Sequence, residues 1–132
     1  QRGGEPIHAL VDLAERQLNC RFPPSYRLFL EEHNGGYMPD PLTKIHAVEH
    51  YLDVVRCTLE GRRVRTPHQQ SPSDMEIVLA NSDGNLICLD TSWVDYRGEN
   101  PVIWALLGGE RIHLGNSFLE FVERRLREDR EN

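Results

Sequence analysis

His46 and His50 stand four residues apart with Glu49 between them. If residues 46–50 are helical, both imidazoles share one face, a spacing that zinc sites use. Such a site also needs a third and usually a fourth ligand. The protease arrangement puts its glutamate directly after the first histidine, whereas Glu49 directly precedes the second. The pair is therefore expected to be ordinary surface or capping histidines. His33 fits the same reading at the end of a helical segment, where a histidine interacts favourably with the helix dipole. Nucleophilic chemistry fares no better: there is no Gly-x-Ser-x-Gly elbow, and none of Cys20, Cys57 and Cys88 stands in a Cys-His context. Asp83, Asp90 and Asp95 could supply a pair of acids, but an acidic chain offers many such pairs, and Asp83 is explained by its turn. Asn34-Gly35-Gly36 follows a helix instead of opening one, so it offers an anion the wrong dipole end. No catalytic residue, metal or cofactor is expected.

What remains is surface. Trp93 and Tyr96 fall in the polar stretch Thr91–Asn100, and Tyr37 follows the glycine pair Gly35-Gly36. Aromatics on loops either anchor an interface, burying much area for little side-chain entropy, or fold back over the core. Glu31, Glu32, Asp40, Asp95 and Glu99 could form an acidic rim around such anchors. The candidate partner-binding residues are Tyr37, Trp93, Asp95, Tyr96 and Glu99. The formal charge of -6 disfavours a phosphate backbone and favours a basic partner. The basic cluster Arg62, Arg63 and Arg65 is the one candidate nucleic-acid feature; it lacks interleaved aromatics and reads as part of a solvated loop.

The elements that would position these residues can be read from hydrophobic period. Ile7, Leu10, Val11, Ala14 and Leu18 recur at helical spacing over 7–19. Phe22-Pro23-Pro24 stops that helix, and a second, with Tyr26, Phe29 and Leu30 on its apolar stripe, ends at Asn34-Gly35-Gly36. Residues 37–44 read as loop. Val48, Tyr51, Leu52, Val55 and Leu59 predict a helix over 47–60, with Lys44-Ile45-His46-Ala47 open to being a strand edge, and Gly61 as its end. Residues 62–74 are the expected mobile loop. The period then shortens: Met75–Ala80, Leu86–Asp90, Val102–Leu107 and Arg111–Leu114 predict strands, the first two joined by the turn signal Asn81-Ser82-Asp83-Gly84-Asn85. Ser117 and Glu120 form a capping-box pattern opening a last helix, with Phe118, Phe121, Val122 and Leu126 on its buried face and fraying expected after Arg127. The fold class is α+β: one domain over 1–132 with its core at about 7–126, N-terminal helices, a largely antiparallel sheet in the second half, and a C-terminal helix packed on it. An odd count of three scattered cysteines predicts reduced thiols, with Cys88 in the core. No apolar run approaches the roughly 20 residues of a membrane span, and no secretory leader is evident, so a cytoplasmic location is expected.

Phe22-Pro23-Pro24-Ser25-Tyr26-Arg27-Leu28-Phe29-Leu30, closed by His33-Asn34-Gly35-Gly36, resembles the Leu-Pro-x-x-Tyr-x-x-Phe-Leu…Asn-Gly-Gly signature of the SUKH superfamily. Ser82–Asp90, Pro101–Trp104 and Asn116–Val122 are similar to later segments of the same family, in the same order. Phe22 stands where the family usually has Leu, and Asn85 follows Gly84 where it often has Asp. The superfamily includes the yeast cell-wall-assembly regulator and many bacterial immunity proteins. The resemblance implies an α+β domain without shared catalytic residues that binds another protein. For bacterial members that partner is a cognate toxin, often a nuclease, so a basic toxin domain is expected here. A regulatory scaffold or adaptor is the alternative.

Overall fold

The computed structural model describes residues 7–33, 36–37, 44–45, 53–63, 72–82, 84–106 and 108–131. The elements are α1 (Ile7–Leu18), α2 (Pro24–His33), β1 (Gly36–Tyr37), β2 (Lys44–Ile45), α3 (Asp53–Arg63), β3 (Glu76–Ser82), β4 (Asn85–Asp90), β5 (Val102–Ala105), β6 (Arg111–Gly115) and α4 (Phe118–Glu131). The α+β architecture is as expected. Helix α1 ends one residue earlier than its periodicity suggests, because Asn19 turns left-handed (φ 54°). Its N–H then bonds to Arg16 O at 3.2 Å and that of Cys20 to Glu15 O at 3.0 Å, which satisfies two of the last carbonyls of the helix. At the other end of the chain, Ser117 Oγ accepts from Glu120 N at 3.0 Å, while Glu120 reaches back to Asn116 N at 2.6 Å.

Strands β3 to β6 form one antiparallel meander in the order β3-β4-β5-β6. Its register shifts between Val78 and Ala80 on β3 and between Val102 and Ile103 on β5, and such irregularities bend and twist a strand. The curl is visible in chemistry. Arg111 on one outer strand donates to Glu76 on the other through Nε (2.9 Å) and Nη2 (3.1 Å). With strands about 4.8 Å apart, the outer strands of a flat four-stranded sheet would lie about 14 Å apart. Glu76, 6% exposed, also takes the N–H of Ser73 at 2.8 Å.

Both faces of the sheet are apolar. Ile77, Leu79, Ile87, Leu89 and Val102 join Val11, Ala14 and Leu18 of α1, Tyr26 and Leu30 of α2, Val54 and Val55 of α3, and Phe118 and Phe121 of α4 in one core. Val78, Leu86, Cys88, Ile103 and Ala105 form a second cluster on the other face, with Cys57 of α3 against it. Within the main core, Tyr26 meets Phe22 and Phe118 edge-on at 5.1 and 5.2 Å. That geometry suits the positive edge and negative face of aromatic rings.

Further boundaries differ from expectation. Helix α3 passes through Gly61 to Arg63. Gly61 is there for closeness: a Cβ would lie 2.9 Å from Cδ of Pro72, which packs on the helix. Arg62 accordingly belongs to α3 and not to a loop, and its guanidinium donates to the carbonyls of Ser73 (3.3 Å) and Glu76 (3.1 Å). Helix α4 continues beyond Arg127 to Glu131. Within 37–44, Gly36-Tyr37 pairs with Lys44-Ile45 as a short antiparallel ladder. The expected histidine pair His46 and His50, the start of the 47–60 helix, and 64–71 of the expected mobile loop, including Arg65, lie outside the described residues.

Candidate protein-binding surface

The connection from β4 to β5 is irregular in backbone yet pinned along its length. Asp90 Oδ1 accepts from Ser92 N at 3.0 Å and from its hydroxyl. Thr91 binds Met75 O through both N (2.8 Å) and Oγ1 (2.6 Å). Asn100 Nδ2 donates to Trp93 O at 2.8 Å. Asp95 closes the tip: its Oδ1 accepts from Arg97 N (2.8 Å) and Glu99 N (2.9 Å), and its own N and O bond to Glu99 O and Gly98 N. Gly98 takes φ +84° to complete that turn, a conformation in which a Cβ is strained. Backbone N–H groups, Glu99's foremost, hold the Asp95 carboxyl below its ordinary 3.8 because they favour the charged form.

The loop is clasped to the helices by Glu99. Its Oε2 accepts from Ser25 N at 3.0 Å and its Oε1 from Ser25 Oγ at 2.8 Å. The same hydroxyl accepts from Leu119 N at 3.2 Å. One carboxylate and one hydroxyl thereby serve the first turns of α2 and α4, whose N–H groups have no partner within their own helix. The positive end of α2 also favours the negative charge of Glu99. Glu99 is 8% exposed, so it faces inward and is not part of an acidic rim.

What this loop presents outward is largely apolar, with Ser92 and Arg97 its exposed polar residues. Tyr96 is 92%, Trp93 67% and Val94 60% exposed, so the two aromatics do not fold back over the core. The Arg97 guanidinium lies 5.4 Å from the Tyr96 ring centroid, within the range of a cation–π contact. Two grooves flank the loop. One of about 750 Å³ runs between Val94, Arg97 and Gly98 and the residues Asp12, Arg21, Phe22 and Arg27 of the helical side. The other, of about 520 Å³, lies between Trp93, Asp95 and Arg97 and the strand residues Ile103 and His113.

Of the five expected binding residues, the structure groups Trp93, Asp95, Tyr96 and Glu99 on this loop. Only the aromatics project from it, while Asp95 and Glu99 shape it. Tyr37 lies on β1, where the backbone alone is described. Of the other rim acids, Glu31 accepts from Arg27 at 3.0 Å, Glu32 lies 3.9 Å from His33, and Asp40 is outside the described residues. Sequence reasoning passed over Val94, Ser25 and Arg27. Arg27 gathers three carboxylates, Asp12 (2.7 Å), Glu15 (2.9 Å) and Glu31 (3.0 Å), and Glu15 also takes the N–H of Phe22 at 2.7 Å. The i,i+4 spacing of Arg27 and Glu31 was a signal available in the sequence; the links to α1 were not.

Among the described residues, reactive chemistry is not assembled. Burial, with Glu15 nearby, pushes the Cys20 thiol up to about 11, and burial raises Cys57 and Cys88 as well, away from the thiolate that a nucleophile needs. Among the described residues no group of histidine, cysteine and acidic side chains could hold a metal ion, and no helix is long and apolar enough to cross a membrane.

The SMI1 / KNR4 family (SUKH-1) model matches residues 8–124. That span runs from the first turn of α1 into α4 and takes in the Phe22–Leu30 segment, the meander and the pinned loop. It supports a protein-binding module without catalytic machinery, as the exposed aromatics on a pinned loop do. This chain belongs to the SMI1 / KNR4 family (SUKH-1).

Proposed function

We propose that this protein is an immunity protein that binds and neutralises a cognate bacterial toxin domain, such as a nuclease, in the cytoplasm of the toxin-producing cell or its kin. The observation that carries the reading is the outward display of Trp93, Val94 and Tyr96 on a loop whose shape is held by the side chains of Asp90, Asp95, Glu99 and Asn100. Ordering a loop on binding costs free energy, and a loop already ordered avoids that cost. Large rigid aromatics in such a place are the residue type that dominates binding energy. Tyr37 is a further proposed contact, and Asp95 and Glu99 act by keeping the aromatics in position. The net charge of -6 gives a long-range field suited to encounter with a basic toxin domain.

Co-purification from the producing cell tests this. The reading requires one main partner that kills or arrests the cell when this chain is removed. Recovery of signalling or structural proteins with no toxin among them would favour a regulatory scaffold instead.

A further inference from the structure

The two outer edges of the sheet are finished differently. In an antiparallel ladder each residue turns both its N–H and its C=O either toward the neighbouring strand or away from it, in alternation. On β3, Thr91 N donates to Met75 O at 2.8 Å and Ile77 pairs with Leu89, so Glu76 and Val78 turn outward. Their outward groups are taken up locally. Val78 N donates to Thr58 Oγ1 of α3 at 2.9 Å, Glu76 N to Ser73 O at 3.1 Å, and Arg62 Nη2 of α3 to Glu76 O at 3.1 Å. On β6, Leu106 N donates to Glu110 O at 2.9 Å, and the register continues as Arg111–Ala105, Ile112–Trp104 and His113–Ile103. Ile112 therefore bonds to Trp104, and the N–H and C=O groups of Arg111 and His113 point away from the sheet. Among the described residues nothing bonds to these outward groups, and Arg111, Ile112 and His113 are all exposed. An extended edge in that state is a template for another strand.

We infer that β6 pairs antiparallel with β6 of a second copy of this chain, about a two-fold axis at Ile112. The edge is self-complementary in that register: Arg111 of each copy meets His113 of the other, and every outward N–H and C=O finds a partner. A register centred on Arg111 would set His113 against Gly109 in the turn, whose N–H bonds to Leu106 O. One centred on His113 would set Arg111 against Gly115, beyond the shift in register. Ile112, 37% exposed, meets its own counterpart across the axis, an apolar contact on the face that carries Trp104 and the main core. Charge agrees with the same register. Glu110 of one copy falls opposite Leu114 of the other, and Arg124, whose Nη1 donates to Leu114 O at 3.1 Å, stands beside it. Each end of the seam thus brings a carboxylate to a guanidinium. Only the backbone of Arg111 is used, so its guanidinium keeps Glu76. The aromatic loop enters β5 at Val102, which pairs with Gly115. Antiparallel pairing therefore sends the two loops to opposite ends of the joined sheet and leaves both open.

Sedimentation equilibrium and amide NMR of the whole chain from about 10 μM to about 1 mM test this, since an interface of so few residues is expected to be weak. The mean mass should rise toward that of two chains. The amide signals of Arg111 and His113 should move with concentration and exchange more slowly, while that of Ile112, already bonded to Trp104, stays protected throughout. His113→Pro deletes a donor that faces water in the single chain, where an edge strand tolerates proline, and should abolish the association. Ile112→Lys, which sets two ammonium groups together at the axis, should do the same by another route. Urea unfolding reports whether each variant stays folded. A chain that remains a monomer at the highest concentration, or an association that survives both substitutions, would overturn the inference. So would Arg111 and His113 amides that become protected only when the purified toxin partner is added, which would give the edge to a strand of that partner instead.

Discussion

Glu99 and Ser25, 74 positions apart in the chain, are joined by two hydrogen bonds of 3.0 and 2.8 Å, and this clasp sets the aromatic loop against the helices. Removing it should loosen the loop and the α2–α4 junction together. Ser25→Ala should cost about 1–2 kcal/mol of folding stability, as for a lost helix-terminal cap, and Glu99→Ala about 1–3 kcal/mol, as for a charge-assisted bond removed from a buried site. Urea unfolding measures both. The double variant should lose less than the sum of the two, since they break the same contact.

Tyr26 is fully buried, and its hydroxyl has no hydrogen-bond partner among the described residues. Its ring, packed between Phe22 and Phe118, is what the core uses. Tyr26→Phe should therefore leave stability unchanged or raise it by up to about 1 kcal/mol, whereas Tyr26→Ala should cost about 3–5 kcal/mol. A marked loss on Tyr26→Phe, read from the thermal midpoint, would mean that the hydroxyl has a role in the folded state.

The Glu76–Arg111 pair ties the two outer strands of the sheet. A double-mutant cycle with Glu76→Gln and Arg111→Met should show a coupling of about 1–2 kcal/mol, kept modest because Arg111 is partly open to water. Additive losses would show that the curl does not depend on the pair.

Acid should loosen the binding loop. Asp95 is held below 3.8 by backbone N–H groups, and Asp12 by Arg27. A carboxyl lowered in the folded state contributes stability fully above its unfolded value, and the contribution is lost as pH falls through the lower folded value. Unfolding followed from about pH 5 to pH 2 should show a smaller decline for Asp95→Asn and Asp12→Asn than for the parent protein. Equal slopes would contradict the assignment.

Local patterns made much of this fold legible in the sequence. Ser117 and Glu120 stand three apart and cap α4, and the short apolar runs around Asp83-Gly84 became β3 and β4, because in each case cause and effect lie within a few residues. Gly61 misled for the opposite reason: a glycine after an apolar helical stripe suggests a stop, but Pro72, eleven residues on, packs on it and the helix continues. Glu99 was legible as a loop acid but not as an inward clasp, since Ser25 is brought to it only by the tertiary fold. The sequence left Trp93 and Tyr96 equally able to cover the core or to leave it. Their exposure is settled by Asp95, Asn100 and Glu99, whose hydrogen bonds set the path of the loop.

The most direct test is the affinity of the purified partner for the parent protein, Trp93→Ala and Tyr96→Ala, measured by calorimetry beside urea unfolding of all three. Each substitution should weaken binding by more than about 1 kcal/mol while changing stability by no more than about 0.5 kcal/mol, because both side chains stand in solvent. Unchanged affinity in both variants would contradict the account and place the partner on another face of the molecule.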